Sequence, residues 1–304
     1  MTRQTHDQFA KEYLEELLAP LGTIRKSEKV KSEVQEIDVW FEPFSPQPKE
    51  NLPLGLLGKM ATTQCLLEPF RNPPSEVEIR SCLLKLYAVH GDVLRKSKRE
   101  NRNISEAELP ILWILTPTFS SRMIQGLGGT EADEEDWVKG VYFLPNIFKT
   151  AIVAIHQLPV NEDTLWLRVL GKGGTQKRAV EELAELPEQN PFRKNLLEIL
   201  ADWRKNLELR DNLSREEQEV IMNLSPAYLQ QREEWKQEGK QEGKQEGQLL
   251  MIACLLEGRF GTLDSELSGL VEKIAQIPIS ERTQLLLSLG NLSREELLER
   301  LKND

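Results

Sequence analysis

Strand-like runs are confined to the first part of this 304-residue chain; beyond Leu165 the apolar residues recur only at the spacing of helices. That division limits any sheet to residues 1–165. Phe9, Tyr13, Leu14, Leu17 and Leu18 mark one face of a helix from Asp7 to Leu18, which Pro20 and Gly22 stop. Thr23 to Lys31 reads as a polar strand. Glu33 to Phe44, with Val34, Ile37, Val39 and Phe41, reads as a half-buried strand that Pro43, Pro46 and Pro48 end. Residues 53–62 predict a short helix, and Gln64 to Phe70 a compact apolar strand closed by Asn72, Pro73 and Pro74. Ser75 and Glu78 carry the capping-box signature, in which two side chains satisfy each other's free backbone N–H at a helix start. Val77, Ile79, Leu83, Leu84, Leu86 and Tyr87 predict the buried stripe of the helix that follows. Ser105 and Glu108 repeat the device, and β-rich runs follow at 110–118, 140–145 and 150–159. Strands interleaved with helices describe an α/β or α+β domain, a mixed sheet flanked by helices.

After Leu165 come helical patterns at 180–186, 191–207 and 213–229, read as a helical connector over residues 166–235. The hexapeptide NLSREE occurs twice, at 212–217 and 291–296, and both copies read as helix starts capped by Ser214 with Glu217 and by Ser293 with Glu296. Residues 236–247 are three copies of KQEG, a low-complexity tract that is either a helix or a linker. In a helix, at about 100° per residue, each residue type forms its own stripe, with Gly lying between Lys and Glu. Each glycine in a helix interior costs about 1 kcal/mol relative to Ala, so the segment needs compensation from elsewhere. A second copy packed in parallel along the glycines would supply it, because the Lys flank of each helix then meets the Glu flank of the other; an antiparallel pair opposes like charges. The expectation is a homodimer through the C-terminal helical half. Residues 248–304, with apolar runs separated by Gly261, Pro278 and Gly290, predict a small helical bundle.

Composition excludes several classes of function. No apolar run reaches the roughly 18 residues that span a bilayer, and the polar N-terminus lacks the build of a signal peptide, so no membrane partner and a cytoplasmic location are expected. Cys65, Cys82 and Cys254 have no CxxC spacing, and His6, His90 and His156 are far apart, which argues against a zinc site. Each cysteine has apolar neighbours and reads as a packing residue. A net charge of −10 counts against a broad phosphate-binding surface and leaves local patches, at Arg25, Lys26, Lys29 and Lys31 and at Arg95, Lys96, Lys98, Arg99 and Arg102. Trp113, Trp137 and Trp166 predict packing, and His156 a buried core histidine. The GKGGT run at 171–175 has the wrong order for a phosphate loop and reads as a flexible joint.

The residues that point to chemistry are Asp38 and Glu68, each on a predicted strand between apolar neighbours (EIDVWF and LLEPF). A carboxylate in that setting is expensive to ionise without a partner, and two on adjacent strands often hold a divalent cation. The alternative is structural, with the pair meeting Arg25, Lys26 or Arg80 to hold the strands in register.

The order helix, strand, Asp-strand, Glu-strand, helix over residues 7–158 resembles the core of PD-(D/E)XK nucleases, of the recombination-promoting nuclease and transposase-related kind. The stretch EGRFGTLDSEL at 257–267 resembles a small helical domain of unassigned function often appended to such proteins in bacteria. The resemblance implies a restriction-endonuclease-like fold and a metal-dependent DNA endonuclease, with Mg²⁺ held by Asp38, Glu68 and a first-helix carboxylate, Glu15 or Glu16. Lysine usually stands two residues after the second acid, where this chain has Phe70; Lys85 on the next helix is the expected replacement, with Arg71 and Gln64 nearer in sequence. The other reading is a non-catalytic oligomeric scaffold that retains the fold.

Overall fold

The computed structural model describes residues 2–30, 35–44, 53–132, 137–210 and 212–301; Lys31, Glu33, Val34, Pro46 and Pro48 of the expected strands and turns lie outside these. Residues 1–231 and 232–304 form two compact units. In the first, the chain runs α1 (Thr2–Leu18), β1 (Gly22–Val30), β2 (Gln35–Pro43), α2 (Gly55–Met60), β3 (Cys65–Pro69), α3 (Glu76–Arg99), β4 (Ile111–Thr116), α4 (Ser121–Gly126), β5 (Thr130–Glu131), β6 (Val141–Phe143) and β7 (Thr150–Ala154). Helices α5 (Leu165–Arg168), α6 (Gly173–Glu185), α7 (Arg193–Glu208), α8 (Arg215–Asn223) and α9 (Ser225–Phe260) follow. The strands make one mixed seven-stranded sheet, ordered β1-β2-β3-β4-β7-β6-β5. This is the mixed α/β class that the sequence describes.

The parallel centre of the sheet is β3–β4–β7, with antiparallel pairs on both sides. Parallel strands are covered on both faces, which is why CLLEP, ILWILT and TAIVA are nearly continuous apolar runs and why β3 and β7 are buried throughout. One face carries a core in which Phe9, Tyr13 and Leu14 of α1 pack with Val39, Phe41, Leu67 and Trp113 of the sheet. Leu196, Leu197 and Leu200 of α7 belong to the same core, and Phe9 stacks on Trp203 at 4.0 Å between ring centroids. Helices α5 to α8 therefore belong to the same compact unit as the sheet. Trp113, Trp137 and Trp166 pack as expected, the first two against each other and Phe143, the third against Phe192.

The opposite face is covered by α3. Its buried stripe is Ile79, Cys82, Leu86 and Val89, whereas Val77, Leu84 and Tyr87 are exposed, correcting the expected stripe. His156 is exposed in a 3-10 turn just after β7, and Cys254 is exposed too, against expectation; the histidines that are buried are His6 and His90. Apolar neighbours in sequence do not report which way a side chain points: His156 sits in a turn, and Cys254 faces outward from within α9.

The second unit contains the later part of α9 with α10 (Ser265–Gln276), α11 (Ile279–Ser288) and α12 (Arg294–Arg300), around a core of Ile252, Leu256, Leu267, Leu270, Ile274, Leu285, Leu289, Leu297 and Leu301. Both NLSREE copies start helices, α8 and α12, with complete capping boxes. The KQEG tract is helical, inside the 36-residue α9.

Candidate functional site

Strands β2 and β3 pair Val39 with Leu67 and Trp40 with Leu66, so one further step along this antiparallel register brings Asp38 opposite Glu68. The backbone N–H of Asp38 donates to Oε1 of Glu68 at 3.4 Å, where a ladder bond would otherwise continue. Helix α3 then closes over Glu68. Its capping box at Ser75 and Glu78 sets the phase of the helix, so that Glu78, Ser81, Cys82 and Lys85, spaced three and four residues apart, fall on one face of it. Lys85 Nζ donates to Glu68 Oε2 at 2.7 Å, and Cys82 Sγ lies 3.8 Å from the same oxygen. From α1, Lys11 Nζ reaches Asp38 Oδ1 at 2.9 Å and donates to Ser27 Oγ at 3.2 Å.

These groups line a cleft of about 430 Å³ at the end of β3, with Asp7, Asp38, Glu68, Pro69, Phe70, Arg71, Cys82 and Lys85 in its wall. Burial, and then the Asp38 carboxylate beside it, push the Glu68 carboxyl well above the usual carboxylate range, against the pull of Lys85. Burial of Lys85 disfavours its charge, yet Glu68 outweighs this and raises it. The carboxyl–ammonium pair is almost out of water, its side chains 2% and 13% exposed.

Asp38, Glu68 and Lys85 come together as the sequence expects. Glu15 does not join them: it pairs with Lys26 of β1, and Glu16 accepts from Asn195 Nδ2 at 2.7 Å. The acid that α1 brings to the cleft is Asp7, about two turns earlier in the helix. Phe70 donates its N–H to Leu115 O at 2.7 Å and packs its ring against the α3-side core, and Gln64 turns away to Glu42. Arg71 does line the cleft. The structural partners considered for the acids are engaged elsewhere, Arg25 with Glu42, Lys26 with Glu15 and Arg80 with Glu76. Ion pairs also take up Arg95 and Arg102 of the second basic patch, on Asp92 and Glu108. Lys11 and Cys82 were missed, because nothing in a linear pattern says which helix face a strand-end acid will meet.

Among the described residues no group of three or more His, Cys, Asp or Glu side chains forms a cage for a metal ion. Mg²⁺ seldom uses one; it takes one or two carboxylates, keeps several waters and completes its shell with substrate phosphate. Asp38 and Glu68, two hard oxygen donors in the wall of one cleft, fit that requirement. No family model matches the chain, and no curated protein or solved structure was found to be similar to it.

Proposed function

We propose that the protein is a metal-dependent nuclease that hydrolyses phosphodiester bonds of DNA, with Asp38, Glu68 and Lys85 at the reacting centre. The observation that carries this reading is the meeting of Asp38 and Glu68, from adjacent strands, in one cleft with the Lys85 ammonium 2.7 Å from Glu68. Lys85 brings to that point the positive charge that Phe70 cannot. A bound Mg²⁺ would polarise the phosphate and acidify a water. Asp38 and Glu68 would hold the ion and orient that water, and releasing the Glu68 proton would be part of loading the site. Lys85, freed from Glu68, would face the negative charge that grows on the phosphate oxygens. Pro69 and Phe70 form an apolar wall beside the carboxylates, which strengthens each of these interactions by thinning the water around them.

One observation favours a second reading. Lys11 neutralises Asp38 and Lys85 neutralises Glu68 without any added cation, as in a purely structural charge cluster of an interaction protein. Cleavage of supercoiled plasmid with Mg²⁺ or Mn²⁺ separates the two, using wild type, Asp38→Asn and Glu68→Gln prepared identically. Metal-dependent nicking that both variants lose supports the nuclease. Equal nicking in all three, or none from well-folded wild type, hands the argument to the scaffold.

A further inference from the structure

Past the carboxylates, the cleft wall continues through Arg71, Asn72 and Pro73 to Glu216 of α8. Arg71 follows Glu68 by three residues, and it is nearly buried, 6% exposed. Its Nη1 donates to the carbonyl of Gly171 at 3.2 Å, and its guanidinium lies 6.0 Å from the ring centroid of Trp203. A planar cation held at one edge by a carbonyl and on one face by an indole has a fixed direction, the property that suits guanidinium to phosphate. Lys172 is the second cation. Its Nζ donates to Asn72 Oδ1 at 3.0 Å, which ties the joint before α6 to the strand end that carries Arg71.

These two cations disfavour each other. Burial lowers Arg71 to about 10, and burial followed by the charge of Arg71 lowers Lys172. Side chains that repel one another are brought to one place at a cost unless an anion joins them. Two anions do, both from one helix: Glu216 pairs with Lys172, and Glu219 supports the charge of Arg71 and of Lys172. Glu219 Oε1 also approaches the start of α6, 3.3 Å from where a Cβ on Gly173 would stand. The Glu216 side chain is about a third exposed and Glu219 is exposed, so both carboxylates can swing out to water and leave the two cations to another anion.

We propose that Arg71 and Lys172, with Asn72, form a binding subsite for a backbone phosphate of nucleic acid, next to the carboxylate pair, and that Glu216 and Glu219 occupy it until a phosphate displaces them. The subsite rests on the nuclease reading for its biological ligand, because Arg71 and Asn72 line the same cleft. It also suggests how a chain of net charge −10 could engage DNA: the cations are few, and Arg71 is buried and held in a fixed direction.

The test is binding of a fluorescent DNA duplex, followed by anisotropy across a salt series in Ca²⁺ so that cleavage does not intervene. Wild type is compared with Lys172→Ala, Arg71→Lys, the double variant Glu216→Gln/Glu219→Gln, and Asp38→Asn. The expected result is several-fold weaker binding for Lys172→Ala and Arg71→Lys, with a salt slope reduced by about one for Lys172→Ala. The double variant should bind several-fold tighter, a gain that misfolding cannot produce. Unchanged affinity and slope in Lys172→Ala and Arg71→Lys, while wild type still nicks plasmid, would overturn the subsite and leave the nuclease standing. A tighter double variant in a protein that never cuts, with or without Asp38, would leave the subsite standing and remove the nuclease. No binding by wild type or by the double variant would overturn the subsite.

Discussion

The ammonium of Lys85 lies 2.7 Å from Oε2 of Glu68 and ties α3 to β3, the strand that precedes it. Replacing Lys85 with Met keeps the aliphatic stem and removes the charge. Glu68 then has burial and Asp38 acting on it with nothing opposing them, so its carboxyl holds its proton to still higher pH. Under the nuclease reading, cleavage at neutral pH should fall by about a hundredfold, the scale of losing one charge-stabilising group. Raising the pH should restore cation binding to Lys85→Met without restoring the rate. Single-turnover cleavage against pH, with Mn²⁺ titrations alongside, checks this; a wild-type rate in Lys85→Met would remove the residue from the reacting centre.

Glu68 also sets a sign on the pH dependence of stability. Its carboxyl is raised in the folded protein, so as pH climbs past the ordinary Glu value of about 4.3 the unfolded chain loses its proton first. The folded state then binds more protons than the unfolded one, and stability falls as pH rises through that window. Glu68→Gln cannot titrate. Urea unfolding from pH 4 to 8 should therefore show wild type losing stability relative to Glu68→Gln as pH rises, and Mg²⁺ should stabilise wild type alone at the alkaline end. Parallel pH curves would mean that Glu68 is ionised in the fold from the start.

Most of this fold could be read from the chain, and the reasons are local. The continuous apolar runs of β3, β4 and β7, the box at Ser75 and Glu78 and the repeated NLSREE are short-range signals, and each forms what its pattern implies. Asp38 and Glu68 could be paired because strand register is a rule of period two. Lys85 was reachable from its place on the following helix. Glu15 lies elsewhere: of α1, Asp7 lines the cleft and Lys11 meets Asp38, whereas Glu15 pairs with Lys26. The role of α7 was hidden as well, since Trp203 meets Phe9 and Arg71 only through tertiary packing.

His6 is the second group whose environment predicts a pH effect, of opposite sign. It is fully buried against Trp203 and Phe9, and among the described residues neither ring nitrogen has a hydrogen-bond partner. Burial, and then the charge of Arg71, lower it from the ordinary value to about 3. The unfolded chain takes up a proton below about pH 6.5 and the folded one does not, so stability present above that pH is lost as pH falls, by up to about 1.4 kcal/mol per unit. His6→Phe keeps the ring contacts and cannot titrate. Between pH 7 and 5, urea midpoints should show wild type losing ground to His6→Phe; identical slopes would mean that the ring finds a proton partner when it charges.

The KQEG tract gives the last prediction, because its helix has no internal reason to be stable. Gly239, Gly243 and Gly247 lie within α9 with open space where a Cβ would stand, and the described side chains from Lys236 to Glu246 are exposed. We propose that a second copy, parallel to the first along the glycines, sets Lys against Glu on both flanks. Changing all three glycines to Ala raises helix propensity by about 1 kcal/mol per site, so the isolated chain should become more helical and no less stable. The added methyl groups push the two backbones apart, so association should weaken. Sedimentation velocity across a concentration series should find a dimer for wild type and a shift towards monomer for the triple Ala variant, while circular dichroism shows helix gained. Helix gain together with weaker association cannot come from a helix that has been damaged. A wild type that stays monomeric at every concentration would end the dimer proposal and leave α9 a solvated helix.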